Sequence, residues 1–72
     1  MDIPRRLIAL RRAVDAAEER YRGNRGDNAT IALAVWSDAT AALVEAVTAH
    51  AEETGATRRE IEDAVRRAAD GS

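Results

Sequence analysis

The sequence predicts an all-α protein: a long antiparallel helical hairpin over about residues 3–22 and 28–54, then a short third helix over about 57–69. Three observations lead there. The composition is that of helices, rich in alanine, glutamate and arginine and poor in large apolar residues, with four Leu, four Ile, five Val, one Trp, one Tyr and no Phe. Apolar residues recur at intervals of three and four. Gly23, Gly26 and Gly55 fall where helices end and turns begin.

The first helix is expected from about Ile3 to Arg22. Asp2 is placed to cap it, Pro4 is tolerated in a first turn, and Gly23 suits a C-terminal stop. Ile3, Leu7, Leu10, Val14, Ala17 and Tyr21 alternate by four and three, the spacing of a narrow coiled-coil seam, with Ile8 and Ala13 beside it.

Residues 23–26 form a connection so short that the second helix must return antiparallel to the first. Asp27 or Asn28 is expected to cap that helix, which should reach about Thr54, some 40 Å on. Ile31, Leu33 and Val35 hint at the period of a strand. The run is interleaved with alanine, however, continues into ATAALVEAV without a turn signal, and has no strand to pair with. On a helical wheel Ala32, Leu33, Trp36, Ala39, Leu43, Val47, His50 and Ala51 share the face that receives the first helix. Thr30, Ser37, Asp38, Glu45, Thr48 and Glu52 make a narrow polar stripe. A flank of Ile31, Val35, Ala42 and Ala49 is left over. A helix this apolar needs more than one neighbour, and Ile31 and Val35 lie far along the axis from any third helix. Self-association through Ile31, Val35, Ala42 and Ala49 into a dimeric helical bundle is therefore expected, with a monomeric three-helix bundle as the alternative.

In the last segment, Gly55 suits the left-handed position that ends the second helix, and Thr57 with Glu60 reads as a capping box. Ile61, Ala64, Val65 and Ala68 form one apolar face. Four i,i+4 pairs are expected: Arg58 with Glu62, Arg59 with Asp63, Glu62 with Arg66 and Asp63 with Arg67.

Ala51, Gly55, Ala56, Thr57 and Ile61 also stand at the spacing of a helix-turn-helix turn, and the segment from Val47 to Arg66 resembles the central frame of that motif. The resemblance implies a recognition helix from Thr57, with Thr57, Arg58, Arg59 and Asp63 nearest the bases and Arg66 or Arg67 on phosphate. His50 departs from the motif's usual apolar residue. Glu60, Glu62 and Asp63 offset the positive field that DNA association needs. The run VTAHAEETGATRREIEDAV, residues 47–65, also resembles the C-terminal part of small, largely uncharacterised helical proteins of actinobacteria associated with plasmids and mobile elements. That likeness implies a bacterial accessory protein and no mechanism.

Charge is unevenly spread about a net −2, and all eleven basic residues are arginine, a bias that also reflects high-GC coding. Arg5, Arg6, Arg11 and Arg12 crowd the start of the first helix, where the macrodipole disfavours cations. They read either as a solvated face that pairs with the acidic middle of another subunit, or as a phosphate-contacting patch in which Arg5, Arg6 and Arg12 touch DNA without reading sequence.

Other functions find little support. At 72 residues the chain is one domain, marginal by itself, and without cysteine it has neither disulfide nor thiolate metal site to stiffen it. No apolar stretch approaches the roughly 20 residues of a membrane span and no signal peptide is evident, so a cytoplasmic bacterial protein is expected. His50 reads as a packing residue, since Ala46 and Val47 stand where a metal site would want partners. Ser37 and Ser72 have no histidine near in sequence, and GNRG is not a phosphate loop. Arg25-Gly26-Asp27 and the acceptor pattern Asn28-Ala29-Thr30 read as turn and cap residues. No cofactor, metal, membrane or small-molecule substrate is expected. The chain reads as a non-enzymatic accessory or adaptor protein with a protein partner; the alternative is a DNA-associated regulator.

Overall fold

The computed structural model describes residues 2–24 and 26–71; Met1, Arg25, Ser72 and the side chain of Asp27 lie outside the described residues, so of the tripeptide at Arg25 only Gly26 and the backbone of Asp27 are described. Three helices follow one another, α1 (Arg5–Gly23), α2 (Asp27–Thr54) and α3 (Arg58–Asp70), with no strand among the described residues. The fold class is all-α.

Two caps differ from expectation. Helix α1 starts after Pro4, not after Asp2: a residue before proline is pushed out of the helical region, so Ile3 stays outside the helix and Asp2 has no helix to cap. The Pro4 carbonyl accepts the first bonds, from the Leu7 N–H at 3.0 Å and the Ile8 N–H at 3.4 Å. Helix α2 is capped by Gly26, not by Asp27 or Asn28, which lie within its first turn. Gly26 takes φ 80°, a conformation costly for any other residue, and its carbonyl accepts from the Ala29 N–H at 3.1 Å. The acceptor pattern at Asn28 is thus part of a helix.

The second junction is as expected. Gly55 is left-handed at φ 74°, its N–H bonded to the Ala51 carbonyl at 2.9 Å. The Thr57 Oγ1 accepts from the Glu60 N–H at 3.1 Å while the Glu60 carboxylate accepts from the Thr57 N–H at 3.3 Å. Both halves of the capping box are formed.

Helices α1 and α2 lie side by side and α3 folds back into one of the two grooves between them. Leu7, Val47, Ala51, Ile61 and Val65 are buried together there, with Ile3, Leu10, Leu43, Ala46 and Ala56 packed around them. Val14 and Ala17 continue the α1 seam, and the Tyr21 and Trp36 rings close its far end at 5.4 Å. At about 1.5 Å per residue α3 spans roughly 20 Å and α2 roughly 42 Å, so the third helix covers only the end of the hairpin nearest its own start.

Two further expectations are corrected, the first by that shortfall. Leu33, expected on the packed face, is 42% exposed because it lies beyond the end of α3. The stretch Asn28–Thr54 is also long and apolar enough, by length and composition, to cross a membrane, and little of it is buried. Counting only large side chains understated it, since alanine and threonine spaced among Leu, Val and Ile keep the whole stretch apolar.

Candidate functional site

The groove that α3 leaves empty is lined by α1 and α2 alone. Near the start of α1, Arg6 and Leu10 face Ala42, Glu45, Ala46, Ala49, His50 and Glu53. Further along, Ala17, Arg20 and Asn24 face Asn28, Ile31, Ala32 and Val35. All four residues expected at a self-association surface, Ile31, Val35, Ala42 and Ala49, therefore line this one groove, and all four are exposed. Ile31 is 66% and Val35 48% exposed, on adjacent turns of α2. Across the hairpin, Leu33 and Val44, the latter 38% exposed, continue the line of α3.

Sequence reasoning missed Arg20 and Glu53 among the charges on the groove walls. Arg6 and Arg20 share the α1 wall; Glu45 and Glu53 line the α2 wall, with Asp38 seven residues before Glu45. Fourteen residues, a whole number of heptads, separate Arg20 from Arg6, but Arg20 and Glu53 stood outside the clusters that drew attention.

The candidate DNA contacts are dispersed. Thr57 spends its hydroxyl on the cap, which also donates to Glu60 Oε1 at 3.0 Å. Arg58 pairs with Glu62 at 3.4 Å, while Arg59 and Arg66 are exposed without an ion pair among the described residues. Arg67 donates from Nε to the Asp63 carbonyl at 3.4 Å rather than to its carboxylate. Of the four pairs expected on α3, only Arg58 with Glu62 forms. On α1, Arg11 pairs with Asp15 at 3.3 Å as its spacing suggests, and Arg22 with Glu18 at 2.6 Å. The N-terminal group divides: Arg6 faces the open groove, whereas Arg5 and Arg12 flank Ile8 and Ala68 on the α3 side, next to Arg67.

His50 is half-buried, and its carbonyl accepts from the Thr54 hydroxyl at 2.9 Å. No group of three or more metal-binding side chains gathers among the described residues. The concavities between α1 and α2, and the one where α3 joins them, are open and lined by mixed alanine, aliphatic and charged side chains. No family model matches the chain, nor does any curated protein or solved structure.

Proposed function

We propose that this chain is a non-enzymatic helical adaptor that self-associates through the open face of α2 and presents its remaining helical surfaces to a protein partner. The exposure of Ile31 and Val35 on adjacent turns carries the reading. Burying such residues contributes about 25 cal/mol per Å² of apolar surface, which a protein with so small a core needs. Val35→Asp puts a charge in that face, and should raise the dimer dissociation constant at least about tenfold in sedimentation equilibrium. An unchanged dimer mass removes this face from consideration.

The adaptor works in water rather than in the bilayer, as a cytoplasmic protein would. Asp38 and Glu45 stand in the middle of the apolar stretch of α2, and a carboxylate at mid-membrane costs about 2.5–3.5 kcal/mol. Recovery in the soluble fraction after alkaline carbonate treatment of cells is the expected result.

One observation favours a second reading, DNA association. Arg5, Arg12 and Arg67, distant in sequence, flank neighbouring concavities around Ile8 and Ala68. Three guanidinium groups so placed suit phosphate contacts that do not read sequence. Arg5→Ala with Arg67→Ala should then weaken binding to random duplex DNA, and binding itself should fall steeply between about 50 and 200 mM salt. Anisotropy that shows no binding at the lower salt ends this reading.

A further inference from the structure

We infer that the second copy docks with its helices along the twofold axis, so that α1 of each copy lies against α2 of the other. The inference rests on the self-association reading above and adds the groups that set the orientation. The floor of the open groove is apolar, but its walls differ in sign. Arg6 and Arg20 stand on the α1 wall, about four turns apart; Glu45 and Glu53 stand on the α2 wall, with Asp38 two turns before Glu45. None of the five forms an ion pair among the described residues. The hairpin fixes their levels: Arg6 shares a concavity with Glu45 and Glu53, and Arg20 shares one with Val35, a turn from Asp38.

A face that packs on a copy of itself has the twofold axis in the plane of contact. An axis across the helices sets α1 on α1 and α2 on α2, with arginine wall on arginine wall and acid on acid. An axis along the helices keeps every residue at its own level and exchanges the walls. Arg6 then meets Glu45 and Glu53 of the second copy, and Arg20 meets its Asp38. Unlike charges fix orientation and like charges exclude the alternative. The product is a bundle of four helices, each antiparallel to its neighbours.

The test is sedimentation equilibrium on three proteins: the wild type, the double variant Arg6→Glu with Arg20→Glu, and a quintuple variant that adds Asp38→Arg, Glu45→Arg and Glu53→Arg. The double variant should bind itself at least about tenfold more weakly, and the quintuple variant should recover to within about threefold of the wild type. An axis across the helices merely replaces one like-charged wall with another, so equal affinity of wild type and double variant overturns this orientation while self-association stands. A monomeric wild type overturns both. Should the double variant lose its helical circular dichroism, the salt dependence of the wild type decides. Attraction across the interface weakens between about 50 and 500 mM salt, and repulsion across it is relieved, which would contradict the orientation.

Discussion

Thr57 and Gly55 show how much of the third helix is set by single residues. The Thr57 hydroxyl satisfies the Glu60 N–H, and its backbone N–H is satisfied in return. Thr57→Ala should lower stability by about 1 kcal/mol in urea denaturation. Gly55 has open space around its missing side chain, so Gly55→Ala meets no clash and should cost about 1 kcal/mol or more through its left-handed backbone alone. Ile61 is wholly buried against Val47 and Val65, and Ile61→Ala should cost about 2–5 kcal/mol, enough to unfold much of so small a protein. Both cap residues were legible in the sequence, because a helix end needs specific groups at fixed offsets. The caps of α1 and α2 were less so. Several residues near each start could serve, and the restraint imposed by Pro4 on Ile3 and the turn at Gly26 decided which did.

At the scale of elements, the α1 seam from Ile3 to Tyr21 and the α3 face from Ile61 to Ala68 were readable because each helix has one apolar stripe. Helix α2 has apolar residues on several sides, and periodicity alone could not rank them. The place of Leu33 depended on the length of α3, a property of the assembled bundle. The arginines follow the same rule. Arg5 and Arg6 are adjacent in sequence, yet a helix turns about 100° between them and sends them to opposite grooves, while Arg5 and Arg67 come from opposite ends of the chain to one side. Arg58→Ala with Arg59→Ala removes two of the contacts that the helix-turn-helix likeness implies. If α3 serves only as a packing helix, this double variant should keep its dimer affinity and lose no more than about 0.5 kcal/mol of stability with the exposed pair to Glu62.

For the whole molecule, a body of 43 × 23 × 16 Å holds a core of seven buried apolar side chains among the described residues, gathered mostly at one end. The other end of the hairpin is two helices wide, and under the proposed self-association a second copy would supply the missing layer on its apolar face. Stability should then depend on protein concentration, with the thermal midpoint rising as the protein is concentrated and the Val35→Asp variant showing no such rise. The most direct measurement is sedimentation equilibrium of the unaltered chain over a wide range of concentration. The account requires a mass approaching twice 7.8 kDa as concentration increases; a mass of 7.8 kDa throughout would contradict it.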